Sequence, residues 1–237
     1  MRSVYFLTIR QLSGRWRLAI MAVLAGLPVL ITVLMLRSAD ATSVADFEST
    51  VLGTMLAGSI APLVVLAIAA VAFGNEVEDR TLANLTLSPV PRWQIAVPKL
   101  LATVSVAGPF VGASAMLTAH MAFLGEWPAT IAITVSTLVG VAMYASMFVW
   151  LGLVSTQAIG IGLLYIVLWE GFFTGYVSGV RLLSIRYHAI ALMHGLDPRR
   201  FEADQHVSLV VAAVVALAVI GGFLALALRR LRTMDVP

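Results

Sequence analysis

Apolar residues dominate the chain in six long runs, and polar residues collect in the stretches between those runs. The runs extend over residues 18–36, 51–73, 100–124, 129–154, 158–176 and 207–228, to within a few positions. About 20 apolar residues are enough for an α-helix to cross the hydrocarbon core of a bilayer. The pattern therefore predicts an all-α integral membrane protein with six transmembrane helices, and residues 1–237 form a single transmembrane domain.

Composition excludes a water-soluble fold. Hydrophobic residues make up 60% of the chain and charged residues 11%, with a mean hydropathy of +0.98, whereas soluble domains carry about 25% charged residues. Cysteine is absent, which rules out disulfides, thiolate catalysis and cysteine-ligated metals. The net charge of +3 comes from cations placed between apolar runs rather than on one solvated face, so we expect no nucleic-acid partner.

The cations also predict the orientation, because Lys and Arg are retained on the cytoplasmic side of a membrane. Ten of them lie at the two termini and in the segment between the second and third runs, and five lie in the alternate segments. We therefore expect a multi-pass protein of the plasma (inner) membrane with both termini in the cytoplasm.

The N-terminal stretch before the first run is amphipathic. Its apolar residues interleave with arginines, a pattern typical of a helix lying in the membrane surface, and a frayed tail is the alternative. The residues are Val4, Leu7, Ile9 and Leu12 with Arg2, Arg10, Arg15 and Arg17.

Polar residues inside the runs are few, and they offer little catalytic chemistry. Glu170 is the only acidic residue within a run; it is either a carboxylate of a transport pathway or a structural group that hydrogen-bonds a neighbouring helix. Ser114 lies in a Gly-Ala-Ser-Ala sequence without an evident histidine partner. No HExxH motif and no phosphate-binding GxxxxGK[ST] motif is present. We expect no metal site, no cofactor bound by this chain and no enzyme activity of its own.

The segment between the second and third runs is the most polar internal stretch. Acidic residues and Arg80 open it, residues 81–87 can form an amphipathic helical turn, and Ser88-Pro89-Val90-Pro91 ends that helix before Arg92. Such a helix at the membrane surface suits docking by a soluble partner, and a plain interhelix loop is the alternative.

This segment resembles the corresponding one in ABC-2 type transporter permeases, the membrane subunits of ATP-binding-cassette exporters with a type V-like fold. The match comprises Arg80-Thr81-Leu82, Leu85, Pro89 and Arg92, and the similarity extends to LLYIVLWEGFF and VRLLSIRY further along the chain. The resemblance implies a permease that pairs with a second copy or a homologue in the lipid membrane. It also implies two separate ABC ATPase subunits, which would bind ATP and Mg²⁺.

In that family the segment between spans two and three is the cytoplasmic coupling helix, seated in a groove of the ATPase. Carried over to this sequence, the resemblance assigns apolar contact or anchoring of the helix to Glu76, Glu78, Asp79, Arg80, Thr81, Leu82, Leu85, Leu87, Pro89 and Arg92. It also implies a re-entrant segment between spans five and six, which would place Glu170 and Arg181 at the exit of the pathway.

The resulting hypothesis is a non-catalytic permease subunit that couples ATP hydrolysis to export. One alternative is a related permease that relays force to a partner protein, and an intramembrane enzyme is a less favoured one. The apolar, small-residue walls of the spans do not specify a substrate.

Overall fold

The computed structural model describes residues 2–37, 44–78, 91–174, 178–201 and 207–233, and every regular element within those ranges is helical. This confirms the all-α prediction at the level of fold class. The α-helices are, in chain order, an N-terminal helix (Arg2–Leu12) and the helices Arg15–Arg37, Val44–Phe47, Ala61–Glu78, Trp93–Ala122, Trp127–Val154, Ala158–Leu164, Ile185–Leu196 and Leu209–Thr233. A π-helix, Glu48–Ile60, joins Val44–Phe47 to Ala61–Glu78. A second π-helix, Tyr165–Phe173, continues Ala158–Leu164, and a 3₁₀-helix, Ser178–Leu183, precedes Ile185–Leu196.

Five helices in the described ranges are long and apolar enough to cross a membrane. We call them the first span (Arg15–Arg37), the second span (Glu48–Gly74), the third span (Trp93–Ala122), the fourth span (Trp127–Val154) and the last span (Leu209–Thr233). They coincide with five of the six predicted runs. The remaining predicted span, the fifth, corresponds to a shorter apolar helix, Ala158–Phe173, so the count of six stays a prediction.

Two exposed tryptophans mark the opposite ends of the bundle. The third span begins at Trp93 and the fourth span begins at Trp127, and we name the two ends of the bundle after these residues. The 30 residues of the third span extend about 45 Å at roughly 1.5 Å per residue. This length matches the roughly 40–45 Å of a bilayer with its headgroups, and tryptophan is enriched at both membrane interfaces.

The predicted fifth span, residues 158–176, is a short apolar helix, and a second short helix follows it in the stretch predicted to be re-entrant. The short apolar helix (Ala158–Phe173) leaves the Trp93 end and has 7 α-helical and 9 π-helical residues, which reach at most about 24 Å. The second piece is the helix Ile185–Leu196, which has 12 residues; we call it the capped helix. Neither piece alone equals the roughly 30 Å of the hydrocarbon core.

The capped helix lies antiparallel against the beginning of the second span. A Cβ at Gly58 would lie 3.2 Å from the Arg186 guanidinium, and one at Gly53 would lie 3.6 Å from Ile190. Further on, His194 contacts Glu48 at the Trp127 end. The capped helix therefore begins about ten residues deep along the second span and rises to the Trp127 end. Its approach fits the predicted re-entrant segment, which stays a prediction.

The core of the bundle is built around the second and fourth spans, both of which are largely buried. A Cβ at Gly152 would lie 2.4 Å from the backbone oxygen of Ala70. Glycine is therefore required where these two backbones meet, as is common for helices packed in lipid. The first and last spans lie at the periphery and are mostly exposed within the monomer.

The N-terminal helix packs on the third span rather than fraying. The Tyr5 hydroxyl donates to Ser105 Oγ at 2.9 Å, and Thr8 and Leu12 are buried while Phe6 and Leu7 are exposed. The predicted helix is thus present. Its placement in the membrane surface stays a prediction that the exposed apolar residues support.

Candidate functional site

Most of the predicted coupling helix lies outside the described residues. This applies to Asp79, Arg80, Thr81, Leu82, Leu85, Leu87 and Pro89, and to the side chains of Glu76 and Glu78. The structure does place what flanks this segment at the Trp93 end. The backbone of Glu76 and Glu78 forms the last turn of the helix Ala61–Glu78. The carbonyl oxygen of Arg92 accepts from the amides of Ile95 and Ala96, both at 3.1 Å, where the third span starts.

A buried lysine joins the two helices from which the segment emerges. Lys99 is 1% exposed, its ammonium group donates to the Ala72 backbone oxygen, and the same group lies 4.4 Å from the centre of the Phe73 ring. Hydrogen bonding to a carbonyl and contact with an aromatic face both favour a buried ammonium group. The second and third spans are therefore fixed to each other close to the Trp93 end.

Three further helix ends meet the start of the third span at this level of the bundle. One buried cluster contains Leu12 of the N-terminal helix, Met21 of the first span, Ile95 of the third span and Leu231 of the last span. Burial of large apolar side chains is the main stabilising contribution here. The helix ends that flank the segment 79–90 are thus packed into the buried core at the Trp93 end.

The second predicted site residue, Glu170, lies at the break between the short apolar helix and the capped helix. Its side chain is fully buried. One carboxylate oxygen accepts from the Tyr165 hydroxyl at 2.9 Å and from the Ile185 amide at 3.0 Å. The other oxygen accepts from the Ser184 hydroxyl. All three contacts bring a hydrogen-bond donor to a carboxylate oxygen.

The Glu170 carboxylate caps the capped helix. Ser184 is the N-cap residue, and its hydroxyl oxygen accepts from the Tyr187 amide at 3.1 Å, while Ile185 is the first helical residue. A negative charge at a helix N-terminus is stabilised by the unpaired amides and by the helix dipole. In this fold, Glu170 of the same chain occupies a position that a half-helix can otherwise offer to an anionic ligand.

Arg181, the other residue predicted for the pathway exit, is linked to Glu170 through one intervening residue. Arg181 Nε donates to the backbone oxygen of Thr174 at 3.0 Å, and the Thr174 hydroxyl donates to the backbone oxygen of Glu170 at 2.7 Å. The structure therefore brings the two predicted residues to the same break. Their role at an exit stays a prediction.

A partly buried ionisable pair lies at the Trp127 end. His194 Nε2 and Glu48 Oε1 are in hydrogen-bond contact between the capped helix and the start of the second span. The His194 ring lies 5.6 Å from that of Phe201, which in turn lies 5.7 Å from that of Phe123. The C-terminal end of the capped helix is thus attached to the second span and to the end of the third span.

The described ranges give no geometric support for a metal site or for a serine nucleophile. Within them, no group of three His, Cys, Asp or Glu side chains has a metal-binding arrangement. The Ser114 hydroxyl is buried and makes no hydrogen bond with a described residue, so no general base contacts it there, as a serine nucleophile would require.

The sequence did not predict the Ser184 cap, the Lys99 contact or the pair formed by Glu48 and His194. Ser184 precedes an amphipathic stretch and carries the usual signal of an N-cap residue, which could have located the start of the capped helix. Lys99 is the only lysine of the chain, but its partner is a backbone oxygen. The partners Glu48 and His194 lie 146 residues apart, and no local pattern connects them.

Comparison with known proteins supplies a family. A family model described as ABC-2 family transporter protein matches residues 6–185, which is more than half of the chain and includes both the Lys99 contact and the Glu170 break. The search of the curated proteins finds no match.

Proposed function

This chain belongs to the ABC-2 transporter family, and we propose that it is the permease subunit of an ATP-binding-cassette exporter in the plasma membrane. In this proposal two separate ATPase subunits bind ATP and Mg²⁺, and the permease binds neither. A second copy of the chain or a homologue completes the membrane-spanning dimer. Both termini and the segment 79–90 face the cytoplasm.

The observation that carries the proposal is the Lys99 contact between the two helices that flank the segment 79–90. The segment joins the helix Ala61–Glu78 to the third span, and the Lys99 contact with Ala72 and Phe73 holds those two helices together. A force applied to the segment would therefore reach two spans at once. This arrangement suits a coupling element better than a passive loop.

The role of the chain in this proposal is mechanical. ATP binding closes the two ATPase subunits, and the segment 79–90 transmits that closure to the spans. The energy enters as a shift in the populations of two arrangements of the bundle. The chain itself supplies no reacting group.

A related permease that relays force to a partner protein remains the second candidate. It shares the family and the same attachment of the segment 79–90. Transport measured with the purified complex in closed vesicles separates the two, because a force relay would hydrolyse ATP without moving a solute.

Leu85→Asp tests the coupling role. We expect this variant to insert normally but to abolish transport and lower ATPase activity in the assembled complex, because a charge would replace apolar contact with the ATPase groove. Leu124→Asp is the matched control. Leu124 is 92% exposed in the turn at the Trp127 end, with a φ of 49° that aspartate tolerates better than leucine.

Full activity of the Leu85→Asp complex would remove the segment from the mechanism. The orientation has a test of its own, since the chain contains no cysteine. Single cysteines at positions 85 and 124 should react with an impermeant maleimide from the cytoplasmic and the external side respectively. The reverse pattern would contradict the exporter proposal.

A further inference from the structure

The cation of Arg186 lies against the second span near the Trp127 end of the bundle. Arg186 belongs to the first turn of the capped helix. A Cβ at Gly58 would lie 3.2 Å from both its Cδ and its Nη1, and a Cβ at Gly53 would lie 3.5 Å from its Nη2. The guanidinium group therefore rests on these two glycines, and the side chain extends from the level of Gly58 towards the Trp127 end.

The described residues give this guanidinium group one hydrogen bond and no carboxylate partner. Nη2 donates to the Thr54 hydroxyl at 3.4 Å, which is long for a hydrogen bond. The nearby carboxylates are engaged elsewhere. Glu48 and Glu126 contact other side chains, and Glu170 accepts from three other donors.

The depth of the group makes the lack of a nearby anion unfavourable. The Phe47 ring lies 5.8 Å from the Phe123 ring, so the second span starts level with the end of the third span. The third span exceeds the hydrocarbon core by roughly 7 Å at each end, given lengths of about 45 and 30 Å. Gly53 and Gly58 follow Glu48 by five and ten residues, or at most about 7 and 15 Å. The guanidinium group thus lies within about 8 Å of the edge of the hydrocarbon, where charged side chains normally have a partner.

The shape of the guanidinium group favours an oxyanion as that partner. Its planar fork of N–H donors matches two oxygens of a phosphate or carboxylate group. The Thr54 hydroxyl donates to the backbone oxygen of Ser49 at 2.9 Å, so it accepts from Nη2 and leaves the other donors of the fork for a ligand. Thr54 is exposed, and the contact can therefore be reached from outside the chain.

Apolar side chains dominate the surroundings of this cation. The π-helical half of the second span packs here against the short apolar helix and the capped helix. Phe172 and Phe173, at the end of the short apolar helix, are half exposed, and Leu183, just before the capped helix, is 70% exposed. A ligand that contacts both the cation and these side chains needs an anionic head and a hydrocarbon chain.

We propose that Arg186 binds the oxyanion head of an anionic amphiphile in the leaflet at the Trp127 end. Two N–H groups of the guanidinium fork donate to the oxyanion, Thr54 holds the fork on the second span, and the hydrocarbon chain lies in the leaflet. A membrane phospholipid and a single-chain amphiphile share this chemistry. The proposal needs only the membrane placement of the spans. It does not depend on the ATPase partner, and the two can fail separately.

Photolabelling of the purified full-length chain in dodecyl maltoside micelles, a phosphate-free detergent, tests this site. The probe is an alkyl phosphate with a diazirine in its chain, added in increasing mole fraction, and labelled peptides are identified by mass spectrometry. We expect labelling of residues 48–60 and 165–173, the two π-helices beside the cation, to saturate. Labelling of the last span, which is largely exposed, should rise in proportion to the probe.

Competition with compounds that carry no diazirine identifies the ligand chemistry. Dodecyl phosphate should displace the probe. Inorganic phosphate and dodecyltrimethylammonium should not, because the first lacks the hydrocarbon chain and the second lacks the anionic head. Displacement by phosphatidylglycerol as well would assign the site to a membrane phospholipid, whereas displacement by dodecyl phosphate alone would assign it to a single-chain ligand.

Three variants sharpen the test. Arg186→Gln should raise the half-saturating probe fraction about 10- to 150-fold, the effect of losing one charged hydrogen bond. Arg200→Gln is the matched control and should leave this fraction unchanged, because Arg200 lies at the same end but 3.6 Å from the Glu126 carboxylate. Arg186→Lys keeps the charge and carries the test if the glutamine variant does not fold. Its ammonium group lacks the fork, so we expect an increase of about 2- to 12-fold.

Three results would overturn the proposal. The first is labelling of the two π-helices that never saturates, because this region would then be ordinary lipid-facing surface. The second is a half-saturating fraction that stays the same in the folded variants Arg186→Gln and Arg186→Lys. The third is displacement of the probe by inorganic phosphate or by dodecyltrimethylammonium as effectively as by dodecyl phosphate.

Discussion

Replacing Glu170 by leucine and by glutamine separates a structural carboxylate from a carboxylate needed for transport. Leucine removes the acceptor of three hydrogen bonds and leaves the Ser184 hydroxyl and the Ile185 amide buried without it. Glutamine keeps an oxygen for Ile185 and Tyr165 and loses the negative charge at the start of the capped helix.

The expected losses differ in size. Each donor left buried and unsatisfied costs about 1–3 kcal/mol, so we expect Glu170→Leu, which leaves two such donors, to lower the free energy of unfolding by about 2–6 kcal/mol. For Glu170→Gln the loss is the difference between charged and neutral hydrogen bonds plus the dipole contribution, about 1–2 kcal/mol. A chain of this length loses about 2–4 °C of melting temperature per kcal/mol.

Thermal unfolding of the purified chain in detergent, followed by tryptophan fluorescence, measures these losses. The controls are Glu126→Leu and Glu126→Gln. The Glu126 side chain is 52% exposed, and its carboxylate lies 3.6 Å from Arg200, so we expect changes of about 0.5 kcal/mol or less for both control variants.

Two outcomes would refute this reasoning in different ways. If Glu170→Leu melts with the unsubstituted protein, the carboxylate does not cap the capped helix. If Glu170→Gln has almost the melting temperature of the unsubstituted protein but the assembled complex loses transport, the charge itself is required. The pathway role implied by the family resemblance is then favoured over the structural role.

Two further substitutions test the packing that surrounds the site. Gly152→Val should destabilise the chain by about 1–3 kcal/mol, because its Cβ would lie 2.4 Å from the Ala70 backbone oxygen. The control, Gly221→Val, should leave the melting temperature unchanged, because a Cβ there meets nothing within 4 Å. Lys99→Met keeps the apolar stem of the side chain but removes the ammonium group that contacts the Phe73 ring and the Ala72 carbonyl oxygen. We expect the free energy of unfolding to fall by about 1–2 kcal/mol in the same assay. An unchanged melting temperature would contradict the role assigned to the Lys99 contact.

The sequence predicted the long spans because their signal is local. A run of apolar residues has to be helical in lipid, where backbone groups must pair within the segment. The bounds were less accurate at the Trp93 end. The third span was predicted from residue 100 and begins at Trp93, because helices continue through the headgroup region, where hydropathy no longer identifies them.

The attachment of the short apolar helix to the capped helix was not visible in the same signal. Apolar residues give the same hydropathy whether the helix continues through the membrane or turns back within it. Glu170 and the N-cap residue Ser184 mark the break, but their pairing across 14 positions is a tertiary contact. That the Ser114 hydroxyl has no hydrogen-bond partner among the described residues likewise follows only from the three-dimensional packing.

The contacts favour the second span as the element that would carry motion from one end of the bundle to the other. At the Trp93 end it is joined to the third span by Lys99, and at the Trp127 end its first residue contacts His194 of the capped helix. Between these points Gly152 holds its backbone against the fourth span. Its π-helical half, Glu48–Ile60, faces the capped helix, and π-helical turns are less regular and frequent at functional sites.

A shift of the second span along its axis would therefore act on the capped helix directly. Glu170 fixes the start of that helix to the short apolar helix, so the two short helices would have to move together or separate at the carboxylate. Separation would leave the Ser184 hydroxyl and the Ile185 amide without their acceptor, at a cost of several kcal/mol. Joint movement avoids this cost, so the Glu170 hydrogen bonds favour movement of the capped helix and the short apolar helix as one unit.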